Sequence, residues 1–461
     1  MKPHWRISHV IAAVACLMGV IIYFSPPPDG MSSEAMGAAS VIVVAIGLWA
    51  TAVVPEYLTS IVFFFIAVTL VGVPPEVVFS GFHSTAAWMV FGGLVIGFAV
   101  QETGLGARMA GTVSGYFKGS YFGIIVRTVT AAALLAFVMP SNMGRVMVML
   151  PIFLGLANRL GFAEGSNGRS AITLAVGAGT LYPSLGILTA AVPNLALLGA
   201  AENIHGLRIT YGRYLLMQFP VISIVSILAL PVIIWVLFPD EPRQGESFGA
   251  IKPYTTHERK LLIILVLSLG FWMTDFAHGI SPGWIAMGAA LLCLLPGLGM
   301  IPPVSLISKI NLGPWFFITG VIGMGTVLST SGLGGFIGKH LFSIVELTPG
   351  NDLANFAALS AIGMVLGVVA TVPGEPAIMT SFAENISAAT GWPLTTVLMA
   401  QVTSWPMAIF PYELPPLVVA AHLGGVRIRP LIRLLLAMTI LAWLVIVPLQ
   451  FVWWRYLGYF G

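Results

Sequence analysis

Charge is what this chain has least of. Only 8% of its 461 residues are Asp, Glu, Lys or Arg, and they leave a formal net charge of +3. So small a balance gives no electrostatic footprint for nucleic acid, and none is expected as a partner. Cysteine is nearly missing: Cys16 and Cys293 lie far apart, each inside an apolar run. Two such thiols are expected to stay buried and unpaired. Extended polar stretches are scarce as well. The one long interval, "FPDEPRQGESFGAIKPYTTHERK" from Phe238 to Lys260, leaves little loop to house chemistry. There is no HExxH pair, no Walker-type phosphate loop and no nucleophile elbow. No catalytic residue and no organic cofactor is therefore assigned, and an enzyme is not expected. His83 and His278 stand alone, without companion ligands at metal-binding spacing.

What fills the chain instead is apolar. Hydrophobic residues make up 58% of it, and the mean hydropathy is +0.97. A water-soluble domain of this length could not hide so much apolar surface. Apolar runs of about 18 residues or more recur throughout, each long enough to cross a bilayer. The fold class is an all-α, multi-pass membrane protein in contact with lipid. "MKPHWRISHVIAAVACLMGVIIYF" joins a basic start to a full-length apolar run without a small-residue cleavage site. It reads as a first transmembrane helix, within residues 1–32, rather than a signal peptide. Lys2 and Arg6 before it, against Asp29 and Glu34 after it, predict a cytoplasmic N-terminus.

The polar linker, 239–259, separates two stretches that resemble each other. "FGGLVIGFAVQETGLGARMAG" starts at Phe91 and "TGVIGMGTVLSTSGLGGFIGK" at Thr319. At a constant offset of 228, Gly92, Gly97, Gly104, Leu105 and Gly106 face Gly320, Gly325, Gly332, Leu333 and Gly334. Each copy reads as two short apolar arms around a Gly-rich turn, a re-entrant hairpin, at about 83–115 and about 313–344. Further on, "HGLRI" at 205–209 matches "GGVRI" at 424–428, and the same offset of 219 sets Asn194 opposite Glu413. Two repeats of inverted topology are expected, 33–238 and 260–461. Paired repeats with interrupted helices point to a secondary transporter.

The interruptions fall inside two long runs, 121–160 and 354–391, each about twice the roughly 20 residues of one crossing. The breaks are expected at Pro140-Ser141-Asn142 and at Pro373-Gly374-Glu375-Pro376. Proline removes a backbone donor, and unsatisfied backbone in hydrocarbon costs several kcal/mol per group. Such breaks survive where they face water or a ligand. Half-helix N-termini favour anions, while freed carbonyls favour cations. Arg145, one turn beyond Asn142, is a permanent cation inside a span. It reads as a ligand for a substrate anion, as a fixed cation in a sodium position, or as the partner of Glu375. Glu375 and Glu413 read as cation ligands or proton carriers, and Asn194 and Ser184 as ligands or as bonds to neighbouring backbone. Glu102, Arg108 and Lys339 flank the hairpin turns, with Trp88 and Trp315 as anchors at the hairpin entrances.

These stretches carry a resemblance. "FHSTAAWMVFGGLVIGFAVQETGLGARMA", "PSNMGRVMVMLPI" and "PYELPPLVVAAHLGGVRIR" are similar to the divalent anion/sodium symporter family, within the wider ion-transporter superfamily. The likeness runs over most of the chain from about Ser33. It implies a homodimer whose protomers pair a scaffold domain with a transport domain moving like an elevator. It also implies a dicarboxylate, citrate or sulfate substrate taken up with sodium, across a bacterial cytoplasmic membrane. The family signature is Ser-Asn-Thr in each half, each followed by a Thr-Pro-Pro-Asn-like loop. Here these read Ser141-Asn142-Met143 and Gly374-Glu375-Pro376, then Ala191-Val192-Pro193-Asn194 and Phe410-Pro411-Tyr412-Glu413. The resemblance makes Ser141, Asn142, Met143, Gly374, Glu375 and Pro376 the expected substrate site, to which the charge reading adds Arg145. Ser141, Asn142, Asn194, Glu375 and Glu413 become the coupling-ion residues, with sodium placed at Asn142 and Asn194. The departures from the signature, Met143 for Thr in the first half and Gly374-Glu375-Pro376 throughout the second, with Glu where the first half has Asn, leave sodium and protons both open as coupling ions. An anion channel, or an exchanger or uniporter independent of any gradient, is the alternative function.

Overall fold

The computed structural model describes residues 7–106, 108, 120–139, 141–242, 253–297 and 299–460. Pro140, most of the far arm of the first hairpin, the centre of the linker, Lys2 and Arg6 lie outside the described residues.

All regular structure among the described residues is helical. The first half holds α1 (Ile7–Phe24), α2 (Ser33–Thr51), α3 (Glu56–Ile66), α4 (Thr85–Glu102), α5 (Tyr121–Val138) and α6 (Asn142–Arg159). It continues with α7 (Asn167–Leu181), α8 (Val192–His205) and α9 (Tyr211–Leu237). The second half holds α10 (Thr256–Met273), α11 (Pro282–Leu294), α12 (Gly313–Thr330), α13 (Leu333–Ile344) and α14 (Asp352–Ser381). Then come α15 (Ala383–Thr390), α16 (Leu394–Ala400), α17 (Pro415–Leu423) and α18 (Ile428–Tyr456). Seven helices among the described residues are long and apolar enough to cross a membrane. Ser32, Ser84, Ser120, Ser141 and Ser166 each cap a helix through the hydroxyl, and Thr255 with Glu258 forms a capping box. Such caps satisfy amides that have no partner within the helix.

The element order of the first half recurs in the second. A helix pair (α2 and α3, then α10 and α11) precedes a helix (α4, then α12) that ends at a turn glycine, Gly104 or Gly332, with φ +77°. A 3-10 turn follows α7 at Tyr182–Gly186 and α16 at Gln401–Thr403. A π turn sits inside α9 at Phe219–Ser223 and inside α18 at Ala442–Ile446.

The halves are interlocked. Helix α4 packs on α11 of the second half, and α12 packs on α3 of the first. The matched glycines make these crossings close. A Cβ on Gly92 would lie 2.6 Å from the backbone of Ala286, and one on Gly320 would lie 2.4 Å from Ser60 Oγ. The next matched pair faces the helix breaks, Gly97 toward Met139 and Gly325 toward Ala377. At the hairpin entrances Trp88 and Trp315 meet, ring centroids 5.6 Å apart. Arg108 and Glu102, near the first turn, bind Glu258 at 2.7 Å and Lys309 at 3.6 Å across the two halves. Both cysteines are free thiols, Cys293 buried and Cys16 partly so.

One break is displaced from its expected position. In the second half the backbone leaves helical geometry at Thr371 (φ 62°, ψ 158°), and Pro373 through Pro376 already belong to the helical segment beyond it. Proline needs no donor in the first turn of a helix, so Pro373 is tolerated just after the kink instead of causing it.

Candidate functional site

The first break has local causes. Met139 ends α5 in an extended conformation, and Ser141 restarts the chain as α6, its Oγ accepting from Gly144 N at 3.1 Å. Asn142 and Met143 thus stand in the first turn of an 18-residue helix, where backbone N–H groups have no carbonyl a turn earlier.

Arg145, one turn on, is fully buried. Its Nη2 donates to Thr180 O at 2.9 Å, to Ala190 O at 3.0 Å and to Asn142 Oδ1, and its Nη1 donates to Met139 O. Met139 closes α5 and Thr180 lies in the last turn of α7. The guanidinium therefore rests against two helix C-termini, where partial negative charge collects. Arg145 makes no ion pair with Glu375, the structural alternative raised by the sequence. Its Nε has no partner.

A parallel arrangement occupies the second half. Ser184 Oγ lies 3.1 Å from Asn142 Oδ1 and 2.6 Å from Leu181 O. Ser404 Oγ lies 2.8 Å from Glu375 Oε1 and 2.6 Å from Gln401 O. Asn194 donates through Nδ2 to Ser184 O at 2.9 Å and Ile187 O at 2.7 Å, which leaves its Oδ1 without a partner. At the position 219 residues on, Glu413 Oε1 accepts from Ile409 N at 3.0 Å and Phe410 N at 2.7 Å. A Cβ on Gly367 would lie 3.4 Å from Glu413 Oε2 and 3.7 Å from Glu375 Oε2, so the two buried carboxyls share one small space. Among the described residues, no Lys, Arg or His forms an ion pair with either. Among the described residues, no group of three or more His, Cys, Asp or Glu could hold a metal.

Between the halves lies a cavity of about 380 Å³. The N-termini of α6, α8, α12 and α17 reach its wall, as do Val372 and Pro373 just past the kink. Of the residues singled out from sequence, Ser141, Asn142, Met143 and Glu413 line it. Arg145, Asn194, Gly374, Glu375 and Pro376 do not, and form the layer behind. Sequence reasoning passed over Ser404 and the carbonyl acceptors Met139, Thr180 and Ala190. The repeat could have found Ser404, which lies an offset of 220 beyond Ser184. Backbone carbonyls have no side-chain signature to find.

With this geometry in view, comparisons with known proteins are informative. The model of the "Sodium:sulfate symporter transmembrane region" matches residues 4–460. A membrane protein of Cupriavidus necator is 24% identical over 99% of this chain and 93% of its own length. The L-tartrate/succinate antiporter of Escherichia coli K12 is 25% identical over 57% of this chain and 56% of its own. Among solved structures, the YdaH transporter of Alcanivorax borkumensis matches with a TM-score of 0.56 at 14% identity, covering 99% of this chain and all of that one. This last likeness concerns the fold. The match along almost the whole chain makes this protein a member of the sodium:sulfate symporter family, the divalent anion/sodium symporters, whose members are membrane transporters and not enzymes.

Proposed function

We propose that the protein is a secondary active transporter that carries a small anion of the dicarboxylate, citrate or sulfate class across the membrane. The observation that carries this reading is the cavity between the halves, walled by helix N-termini from both. Anionic groups are stabilised at helix N-termini, and transporters of repeated architecture place substrate where such ends meet. Ser141, Asn142 and Met143 would receive the substrate, with Gly374, Glu375 and Pro376 shaping the opposite segment from behind. The two halves act as inverted repeats, 33–238 and 260–461. The hairpins and broken helices would form the transport domain of an elevator, moving against a scaffold within a homodimer. The N-terminus would face the cytoplasm.

A proton is the coupling ion this geometry supports best. Sodium binding would draw on the oxygens of Asn142 and Asn194. Asn142 Oδ1 is taken by Arg145, and a guanidinium beside it repels a second cation. With Arg145 in place Asn142 is withdrawn from a sodium site, which leaves only the unpartnered Asn194 Oδ1 of that donor pair. In the second half, Ser404 has one hydroxyl hydrogen and two acceptors within reach, Glu375 Oε1 and Gln401 O. When that hydrogen serves Gln401, the contact to Glu375 is completed by a proton on the carboxyl itself. Glu375 and its neighbour Glu413 then load and release the proton as the carrier cycles.

The test is uptake of labelled succinate, citrate and sulfate, with monocarboxylates alongside, into proteoliposomes under separately imposed sodium and pH gradients. Saturable uptake that shows counterflow supports a carrier. Non-saturable flux without counterflow would turn the assignment to an anion channel, and carriage indifferent to both gradients would turn it to an exchanger or uniporter.

A further inference from the structure

Helix α18 opens with a pair of cations on one face. Arg429 and Arg433 lie four residues apart at its start, a spacing that sets side chains one above the other. Both are exposed, as is Arg427 at the N-cap. Among the described residues, no Asp or Glu forms an ion pair with any of the three.

The same face continues as hydrocarbon. Leu436 and Ile440 follow at spacings of three and four residues and are 43% and 58% exposed. Leu444, four residues on within the π turn, is 72% exposed. The positions between them, Leu434, Leu435, Met438 and Thr439, are buried against the protein. From Arg433 to Leu444 the helix rises about 16 Å, close to the depth of one leaflet, about 15 Å. Two guanidiniums thus stand above an aliphatic strip one leaflet long.

This pattern fits a phosphodiester headgroup with an acyl chain beneath it. Guanidinium grips phosphate oxygens through paired N–H bonds, with more specificity than a general attraction to a charged surface supplies. A zwitterionic headgroup brings an ammonium of its own, which finds no paired carboxylate beside these arginines. A second copy of the chain, packed here about a two-fold axis along the membrane normal, would set arginine against arginine.

We infer that α18 holds an anionic phospholipid, its phosphate between Arg429 and Arg433 and one acyl chain along Leu436, Ile440 and Leu444. The inference does not depend on which anion the cavity carries.

The experiment titrates the full-length protein in detergent with dioleoyl-phosphatidylglycerol and with dioleoyl-phosphatidylcholine. Bound lipid is read by native mass spectrometry, and stability by thermal unfolding. Phosphatidylglycerol is expected to bind at least about tenfold more tightly and to raise the unfolding temperature. Replacing both arginines, Arg429→Gln with Arg433→Gln, should abolish that preference. Arg455→Gln, at the far end of the same helix, should leave it, because no second arginine lies one turn from Arg455. Equal binding of the two lipids by the native protein overturns the inference, as does a preference that survives the double variant or is lost equally in Arg455→Gln. Glycerol 3-phosphate, which has no acyl chain, should give no shift; a shift as large as that of phosphatidylglycerol would assign the arginines to free phosphate. In liposomes, Ile440→Cys is expected to stay a free thiol under oxidation. A disulfide-linked dimer through that position would give the strip to a second copy and overturn the lipid.

Discussion

Arg145 is the residue on which the first half is built. Its guanidinium donates to three backbone carbonyls and one amide oxygen, of which Met139 O also accepts from Ser141 N and Asn142 Oδ1 also lies against Ser184 Oγ. Each acceptor left without a donor costs about 1–3 kcal/mol, so Arg145→Ala is expected to lower stability by about 3 kcal/mol or more. Uptake should fall at least about tenfold as Asn142 loses its orientation. Added guanidinium should restore part of both, read by thermal unfolding and transport, and a variant indistinguishable from the native protein would remove Arg145 from the site. Glu375 carries a different expectation. In Glu375→Gln the Ser404 contact survives but the group cannot ionise. Uptake should then lose its acceleration by an inward proton gradient, that is, by a more acidic exterior, while binding of the anion remains. An intact pH response in this variant would move proton coupling elsewhere.

At the scale of elements, helix crossings at glycine decide how the two halves fit. Gly92 meets the Ala286 backbone, which cannot swing away as a side chain can. Gly92→Ala should therefore destabilise by about 1–3 kcal/mol, as overpacked sites do. Gly288, on α11, has nothing within 4 Å of its Cβ position. Gly288→Ala should be neutral or slightly stabilising through helix propensity. Thermal unfolding of the pair compares them directly, and equal effects would contradict the crossing geometry.

These crossings also explain what could be read in advance. Gly92 and Gly320 stood out because only glycine permits such approach, and a constraint on residue type leaves a periodic trace in the sequence. The long apolar runs announced membrane helices for a similar reason. Thr371 left no trace: positive φ is foreign to a β-branched residue, and the prolines two and five positions on drew the break toward themselves. Arg145 was conspicuous as a charge, but its partners are mostly carbonyls that every residue possesses, so its pairing could not be read. Ser404 resembles any other serine until the repeat sets it opposite Ser184.

For the whole molecule, the two halves carry different chemistry at their helix breaks. One keeps a resident cation on helix C-termini, and the other keeps two carboxyls beside a kink. Such asymmetry predicts that initial uptake rates in sodium-containing and sodium-free medium agree to within about twofold, while an imposed acid exterior raises them. Measurement in proteoliposomes with choline replacing sodium decides it, and an absolute sodium requirement would refute the role given to Arg145.

The embrace of α4 by α11, and of α12 by α3, has a consequence for biogenesis. The ribosome finishes α4 long before the α11 surface that will cover it has been made. Its α11-facing side stays uncovered by protein until the second half arrives. Co-expressed as separate polypeptides, the halves should rescue each other, and either one alone should be cleared by membrane proteases.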